Sequence, residues 1–139
     1  MKVETHELKV EMKVGVDIKD ITPIINEIVA NSGITRGIIS ISVIGSTGSI
    51  TTIEYEPGVI EDLKRAINKL APPDDEYMHE LAWHDGNGHS HVQAALLGPS
   101  ESFTIENGRV VLGTWQQIVT INHDVRAKVR RIYVTIIGE

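Results

Sequence analysis

The sequence predicts a single α+β domain, and three observations indicate this fold class. The chain has 139 residues, a length that suits one domain with its own buried core. Segments rich in β-branched or alternating apolar residues, typical of strands, are separated by two or three segments with helical periodicity. No internal repeat or change in composition divides the chain. We therefore expect strands covered by two to three helices in one unit, residues 1–139.

A strand and a helix are predicted at the start of the chain. Residues 3–14 alternate apolar and charged side chains, which predicts a strand with one buried face. Thr22-Pro23 indicates the start of a helix, with threonine as the N-cap and proline at the first helical position, where no amide hydrogen is needed. Gly33 can end this helix in the left-handed conformation.

Two β-branched segments follow this helix. Residues 37–45 and 49–56 favour strands, and the short turn Ser46-Thr47-Gly48 between them suits a tight connection. The turn is rich in hydroxyl groups, and backbone amides in such a turn are able to hold an oxyanion. A plain hairpin turn without a ligand is the simpler interpretation.

The middle of the chain predicts a helix, a long loop and a short helix. Residues 57–70 begin with a proline and carry apolar residues at helical spacing, and the two prolines at 72 and 73 end this helix. Residues 74–91 are polar and poorly periodic, which predicts a loop with one short helical turn. Ordered loops of this length are uncommon unless they carry function. Residues 91–97 contain good helix formers and predict a short helix.

The last part of the chain predicts four strands. Asn107-Gly108 between two apolar segments is a strong hairpin signal, and it joins residues 102–106 to residues 109–112. Residues 114–123 and 128–137 predict two longer strands joined by a turn. From residue 98 onward, the chain therefore contributes mainly to the sheet.

The composition excludes several classes of function. The chain has 13 Lys and Arg against 19 Asp and Glu, for a formal net charge of -6, and few aromatic residues (Trp 2, Tyr 3, Phe 1). This balance disfavours nucleic acid as a partner. The absence of cysteine removes disulfides and thiolate metal sites. No apolar segment is long enough to span a membrane and no signal peptide is visible, so we expect a cytoplasmic protein that binds no membrane.

Four of the histidines fall within the long polar loop, namely His79, His84, His89 and His91. Neutral imidazole is a good ligand for zinc and other late transition metals, and catalytic zinc commonly takes three protein ligands and water. We expect at least two of His79, His89 and His91 to bind a divalent metal or to act directly on a ligand. The alternative for each is a solvated or locally hydrogen-bonded loop histidine, as we expect for His84.

Further polar residues are candidates for binding a ligand. Neutral hydrogen-bonding groups can orient a polar or phosphorylated compound, and an arginine can bind phosphate through two hydrogen bonds. The candidates of this kind are Gly98, Ser100, Thr114, Gln116 and Arg131. Adjacent Arg130 and Arg131 point to opposite faces of a strand, so at most one of them lines a given site. The alternative is a packed sheet with polar residues facing solvent.

Several of these segments together resemble the YjbQ-like uncharacterised protein family. The resemblance covers nearly the whole chain, and the G-T-W-Q-Q run after H-x-H and L-L-G-P-S is specific to it. The matching segments are Tyr77-Met78-His79, residues 85–100 (DGNGHSHVQAALLGPS), Asn107-Gly108-Arg109, residues 112–117 (LGTWQQ) and residues 130–139 (RRIYVTIIGE).

The resemblance implies a fold, an assembly and an activity. Members of the family have an α+β fold with a large, mainly antiparallel sheet, and they form homotrimers. They are generally named secondary thiamine-phosphate synthases, after a weak activity that joins a pyrimidine methyl diphosphate to a thiazole phosphate and releases pyrophosphate. The family motif also implies a histidine-rich site for a divalent metal such as zinc, with ligands at the positions of His79 and His91.

One departure from the family pattern concerns a third metal ligand. Many members have a histidine at the position of Ser46, and an Asn-Glu pair where this chain has Glu54-Tyr55. We hypothesise that His89 or Glu54 takes the place of the missing histidine. Glu54 shares a strand face with Glu56, and an exposed acidic face is the alternative interpretation of these two carboxylates.

The residues and the resemblance leave several functions open. In the first, a metal at the three histidines polarises the phosphate of a small phosphorylated metabolite or activates water, while His91 and Gln116 act at the reacting atoms. A histidine site suits zinc better than Mg²⁺, which prefers oxygen ligands. Such an enzyme is a thiamine-phosphate-synthase-like transferase or a metal-assisted hydrolase. The alternative is a non-catalytic homotrimer that binds a metal or a metabolite.

Overall fold

The computed structural model describes residues 1–139 and contains eight strands and four helices. The fold class is α+β, as the sequence predicts, although it has four helices rather than two or three. In chain order the elements are β1 (Lys2–Met12), β2 (Asp17–Asp20), α1 (Thr22–Ser32), β3 (Gly37–Val43), β4 (Gly48–Ile53), α2 (Pro57–Leu70), α3 (His79–Trp83), α4 (Gly88–Leu97), β5 (Ser100–Glu106), β6 (Arg109–Val110), β7 (Gln117–Asn122) and β8 (Lys128–Gly138).

The strands form two antiparallel sheets, and the larger one agrees with the large, mainly antiparallel sheet that the resemblance implies. The five-stranded sheet has the order β1-β8-β3-β5-β6, and the three-stranded sheet has the order β2-β7-β4. Every hydrogen-bonded pair of strands is antiparallel. β1 and β8 pair along their whole length, from Lys2 opposite Gly138 to Met12 opposite Lys128. This long pair therefore brings the two ends of the chain together.

The main core lies between the two sheets and under α1. It contains isoleucine and valine side chains from alternate positions of β3 and β8, which point to one face of the five-stranded sheet. Ile118 of β7 and Ile25 of α1 join the same cluster. Val119 and Ile121 point to the opposite face of β7 and pack with Ile67 of α2. The three-stranded sheet is therefore covered on both faces, which explains why its central strand is apolar at consecutive positions.

The connection between β3 and β4 is not a hairpin, contrary to the prediction from the sequence. β3 pairs with β5 and β8, whereas β4 pairs with β7 in the other sheet. Residues 44–47 therefore carry the chain from one sheet to the other. The connection between β7 and β8 makes the same crossing. β-branched composition identifies a strand but not its partner, which depends on packing against residues distant in sequence.

Two helices begin differently from the prediction. α1 begins at Thr22, whose hydroxyl does not cap the helix but accepts a hydrogen bond from the Ile118 amide at 2.8 Å. This contact joins α1 to β7. α4 begins at Gly88 rather than at residue 91, so both His89 and His91 lie on a helix instead of in a loop.

Other predictions from the sequence are confirmed. α2 spans Pro57–Leu70, within the predicted bounds. Gly33 ends α1 in the left-handed conformation, with a φ of 71°. Asn107 and Gly108 form the turn of the β5–β6 hairpin, with φ values of 53° and 73°. Positive φ at both central residues is the geometry that favours this dipeptide in a two-residue hairpin turn.

A chain of buried hydrogen bonds joins α4 to the three-stranded sheet. Nδ1 of His123 lies 2.9 Å from Oε1 of Gln93 on α4, and Nε2 lies 2.8 Å from the Ser49 hydroxyl on β4. The Gln93 amide nitrogen donates to Asn68 and to the Ala71 carbonyl, each at 3.0 Å. Gln93 therefore presents its oxygen to the imidazole. Nδ1 of His123 donates to this oxygen, and Nε2 accepts from Ser49.

His123 should make the stability of the protein depend on pH. Burial, helped by the positive charges of Arg130 and His89, lowers the pKa of His123 from 6.5 to about 4. Between these two values the unfolded chain takes up a proton that the folded chain does not. The free energy of unfolding should therefore fall as the pH is lowered from 6.5 to 4, by about 3 kcal/mol in total, and this contribution should vanish above pH 6.5.

Urea denaturation at several pH values measures this effect. His123→Gln removes the titrating group and should flatten the slope of unfolding free energy against pH between 6.5 and 4. An equal slope in the wild type and in His123→Gln would show that other groups cause the pH dependence.

Candidate functional site

Three side chains that can bind a metal ion meet where α3, the following loop and α4 converge. They are His79 at the start of α3, Asp85 in the loop and His91 in the first turns of α4, and their ligand atoms all lie within 4.8 Å of one another. Nε2 of His79 donates a hydrogen bond to Oδ1 of Asp85 at 2.9 Å. The ring centroids of the two histidines are 4.6 Å apart. Two imidazoles and one carboxylate therefore surround one point.

The loop between α3 and α4 is held by a single carboxylate. Glu80 accepts hydrogen bonds from the amides of Gly86 at 2.7 Å and Gly88 at 3.0 Å. Gly86 has a φ of 74°, a conformation that glycine adopts without strain. Gly88 packs against Tyr77, and a Cβ atom at this position would lie 2.4 Å from the Tyr77 Cβ. The loop is therefore fixed in the shape that presents Asp85 to the histidines.

The surroundings of Asp85 favour its charged form. A hydrogen bond from the Asn87 amide, helped by the His79 side chain and the charges of His79 and His91, lowers the pKa of Asp85 below its usual value. The side chains of His79 and Asp85 remain 28% and 36% exposed. The site thus offers an ionised oxygen and two imidazole nitrogens at a surface that solvent reaches.

This donor set fits a divalent transition metal. Two histidines and one carboxylate match one of the known ligand sets of catalytic zinc, in which a fourth position is left open. Metal bonds of about 2.0–2.2 Å place tetrahedral ligand atoms about 3.3 Å apart. Atoms already within 4.8 Å reach that spacing by small side-chain rotations. The three residues can therefore hold one ion with room for a ligand.

His89, which the sequence suggests as a further metal ligand, lies outside this group. It is 7% exposed, its ring centroid lies 6.3 Å from that of Tyr77, and it lines a separate cavity of about 280 Å³ together with His123. Burial lowers the pKa of His89, which favours the neutral form. Residues two apart on a helix point about 200° apart, so α4 turns His89 inward when His91 faces the site.

Glu54, proposed as a replacement for the missing histidine, and its neighbour Glu56 also lie outside the group. Glu54 is exposed and is not among the three clustered residues. The carboxylate of Glu56 accepts hydrogen bonds from the amides of Gly58 and Val59 and so caps α2. Glu56 therefore has a structural role.

A small cavity adjoins His91. It has a volume of about 230 Å³ and is lined by Gly45, Ser46 and Gly48 on one side and by α4 on the other. Ser46 is the position at which the resemblance implies a histidine in many members of the family. The predicted ligand residue Gly98 lies nearby, where its carbonyl accepts a hydrogen bond from the Ile50 amide at 3.2 Å. Ser100 is exposed at the start of β5.

Thr114 and Gln116 lie in a different cavity within this chain. They precede β7, which begins at Gln117 rather than at residue 114. They line a cavity of about 600 Å³ beside α1, together with Arg109. Gln116 donates to the Thr52 hydroxyl at 3.2 Å and accepts from a backbone amide. A single chain therefore does not bring Gln116 and His91 to the same cavity.

Arg131 is bound to a surface carboxylate. Its Nε donates to Glu7 at 2.7 Å and its Nη2 donates to the Tyr133 hydroxyl at 3.1 Å. Arg130 points to the opposite face of β8 and is buried, as the alternation of a strand predicts. The arginine that contacts the hydroxyl-rich turn at residues 46–48 is Arg130, which donates to Thr47, whereas the predicted ligand residue Arg131 lies on the other face of β8.

Reasoning from the sequence missed two parts of this region. Asp85 lies six residues from each of His79 and His91, but this spacing matches no common metal-binding motif. In this segment only the histidines were therefore named as candidate metal ligands. The sequence alone does not show which face of β8 meets the turn at residues 46–48, so Arg131 rather than Arg130 is the candidate named there. The Asp-Gly pair at 85–86, which indicates a turn, was the one available signal for Asp85.

The fold and the site together define a class, a single α+β domain with a two-histidine, one-carboxylate group at a helix junction. The chain matches the model of the family described as UPF0047 protein YjbQ-like over residues 6–139. It therefore belongs to the YjbQ/UPF0047 family.

Relatives of this chain occur in archaea and bacteria. It is 34% identical to a UPF0047 protein of Methanothermobacter thermautotrophicus over 139 residues, which are 100% of this chain and 95% of the relative. It is 33% identical to the UPF0047 protein YugU of Bacillus subtilis, over 86% of this chain and 88% of that protein.

Solved structures confirm the fold. A YbjQ-like protein of unknown function from Sulfolobus solfataricus P2 superimposes with a TM-score of 0.94 at 36% identity, covering 99% of each chain. A hypothetical protein from Aeropyrum pernix K1 gives a TM-score of 0.85 at 27% identity over the full length of both chains. None of the four helices is both long enough and apolar enough to cross a bilayer.

The titration of Asp85 tests the geometry of the site. Its carboxyl carbon, followed by NMR in the metal-free protein, should titrate below the usual value of 3.8, because the Asn87 amide and His79 stabilise the charged form. His79→Ala should raise the midpoint, since it removes one donor. His84→Ala removes an exposed imidazole next to Asp85 in sequence and serves as the matched control. A midpoint at or above 3.8 in the wild type would contradict the observed contacts.

Proposed function

We propose that this protein binds a divalent metal ion through His79, Asp85 and His91, and that this set of ligands favours zinc. We further propose that it acts on a small phosphorylated compound held beside His91. The observation that carries the proposal is the convergence of two imidazoles and one carboxylate within 4.8 Å at the edge of a cavity. Structural zinc sites are closed by four protein ligands, whereas three ligands and partial exposure favour a site that takes a further ligand.

The three residues have distinct roles in this proposal. His91 contacts both the metal-binding group and the 230 Å³ cavity, so it would place a ligand of the metal inside that cavity. Asp85 supplies the negative charge that offsets part of the charge of the cation. The loop amides bonded to Glu80 hold this carboxylate in place. A bound zinc ion supplies a Lewis acid that polarises a phosphoryl oxygen or lowers the pKa of water.

The chemistry supports either transfer or hydrolysis at a phosphorylated compound. The transferase that the resemblance implies needs room for two phosphorylated compounds, whereas the cavity beside His91 is smaller than the roughly 300–1,000 Å³ of a typical ligand pocket. A thiamine-phosphate synthase assay and a phosphatase assay, both with zinc-loaded protein, separate these two reactions. Binding of metal and phosphate without turnover in either assay would favour the non-catalytic alternative.

We also propose that the chain forms a homotrimer. Large apolar side chains are exposed on and beside α3 and α4, where isolated chains would leave them in water. They are Met78 (84% exposed), Leu81 (75%), Trp83 (71%) and Leu96 (59%). The separation of Gln116 from His91 within one chain gives a second argument. Contact between chains offers a way to bring the cavity of one chain next to the metal-binding group of another.

Zinc titration tests the metal-binding proposal. Metal-free protein in competition with a chromophoric chelator should bind one zinc ion per chain. His91→Ala and Asp85→Asn should each weaken binding by at least about 100-fold, since removal of even an outer partner of a ligand costs 10–100-fold.

His89→Gln and His84→Ala are the matched controls, because both histidines lie in the same segment but outside the group. We expect their zinc affinity to stay within about threefold of the wild type. Equal losses in His89→Gln and His91→Ala would overturn the ligand assignment, and a wild type that binds no zinc would overturn the proposal.

Light scattering tests the assembly. The mass in solution should be about three times the 15.3 kDa of one chain. Leu96→Glu places a charge on the exposed apolar surface of α4 and should shift the protein toward monomer. Val3→Glu, at an exposed apolar position on β1 and so outside α3 and α4, should leave the mass unchanged. A monomeric wild type would contradict the proposal.

A further inference from the structure

Arg130 is a buried cation with unused hydrogen-bond donors. It is 5% exposed, and its Nη2 donates to the Thr47 carbonyl, the Thr47 hydroxyl and the Asn122 side chain at 2.6–2.8 Å. Its Nε is buried and has no hydrogen-bond partner. A buried donor without an acceptor costs about 1–3 kcal/mol, more when the group is charged.

No carboxylate pairs directly with this guanidinium. The salt bridges of the chain do not include Arg130. The negative charge that acts on it is that of Asp124, whose oxygens already accept from the Thr47 hydroxyl and the Arg126 amide at 2.9 Å. Burial accordingly lowers the pKa of Arg130. The protein thus keeps an incompletely compensated positive charge inside the fold, where an anion would interact strongly with it.

Two glycines let the loop that borders the cavity beside His91 lie directly against this guanidinium. A Cβ atom on Gly45 would lie 3.1 Å from Nη1 of Arg130, and one on Gly48 would lie 3.2 Å from its Nε. Both glycines line the cavity of about 230 Å³, together with Ser46 and His91. A side chain at either position would crowd the guanidinium, so the two glycines allow the loop to approach this charge closely.

The loop between β3 and β4 adds further donors. The backbone amides of Gly45, Ser46 and Thr47 donate to no acceptor within the protein, whereas the neighbouring Ile44 amide donates to the Arg131 carbonyl. The Ser46 hydroxyl borders the cavity. Consecutive free amides in a turn form a concave site that suits an anion, and a cation behind them strengthens it.

We infer that the cavity between residues 45–48 and α4 is an oxyanion site that takes the phosphate group of the bound compound, with Arg130 and the amides of Gly45, Ser46 and Thr47 as its donors. The choice of phosphate rests on the proposed function. The cavity volume suits a single small oxyanion rather than a whole metabolite. His91 lies on its opposite wall, so the rest of the compound extends toward the metal-binding group.

Phosphate titration by NMR tests this site in the full chain after treatment with EDTA. Sodium phosphate should cause saturable shifts of the Gly45, Ser46 and Thr47 amides and of the Arg130 Nε–H, which sodium chloride at equal ionic strength should not cause. Sodium acetate should bind at least tenfold more weakly. Acetate that binds as tightly as phosphate would overturn the assignment to phosphate.

Two matched pairs of variants identify the donors. Arg130→Lys should weaken phosphate binding at least tenfold, whereas Arg131→Lys, on the opposite face of β8, should stay within twofold. Ser46→Asp places a carboxylate in the cavity and should abolish binding, whereas the neutral Ser46→Asn should stay within threefold. Ser46 is exposed, so this second pair decides the matter if Arg130→Lys does not fold.

The phosphate titration tests the oxyanion site independently of the metal-binding proposal, because EDTA has removed any bound metal. Phosphate binding that depends on Arg130 in a protein that binds no zinc would retain the oxyanion site and reject the metal. No saturable shift, an equal loss in Arg131→Lys, or wild-type binding by Ser46→Asp would each overturn the oxyanion site.

Discussion

The geometry of the site depends on the buried hydrogen-bond chain from Gln93 through His123 to Ser49. These three residues come from α4, from the position directly after β7 and from β4, and all are nearly inaccessible to solvent. α4 carries His91, so this chain sets the position of one metal-binding residue relative to the sheets. Because each buried group has its partner, the helix cannot rotate or slide without leaving polar atoms unpaired at a cost of about 1–3 kcal/mol each.

A second constraint acts locally on the same region. The Glu80 carboxylate closes the α3–α4 loop, and Gly88 allows α4 to begin against Tyr77. His91 is thus held in place by α4, which is fixed to the core, whereas Asp85 is held by the α3–α4 loop, which solvent reaches. This combination of a rigid helix and an accessible loop suits a site that must admit a ligand. The crossing loop 44–47 completes the boundary of the cavity, and it is held by Arg130 and by backbone hydrogen bonds at its two ends.

Local patterns predicted much of the fold. The Asn107-Gly108 hairpin, the αL glycine after α1 and the proline start of α2 follow from backbone preferences of single residues, so the sequence was sufficient for them. The supposed hairpin at residues 46–48 was wrong because strand partners are chosen by core packing over long sequence separations. The same limit applied to the site. Because the predicted start of α4 is three residues late, the directions of the His89 and His91 side chains around the helix axis could not be predicted. Asp85 is recognisable as a metal ligand only in the structure, where the loop places it close to two histidines.

The central claim is that His79, Asp85 and His91 share one metal ion. Anomalous diffraction at the zinc edge, from crystals grown with zinc, measures this directly. We predict one peak bonded to nitrogens of both histidines and to an oxygen of Asp85, at the roughly 2.0–2.2 Å typical of zinc. A peak bonded to His89 instead of Asp85, or no peak between α3 and α4, would contradict the account.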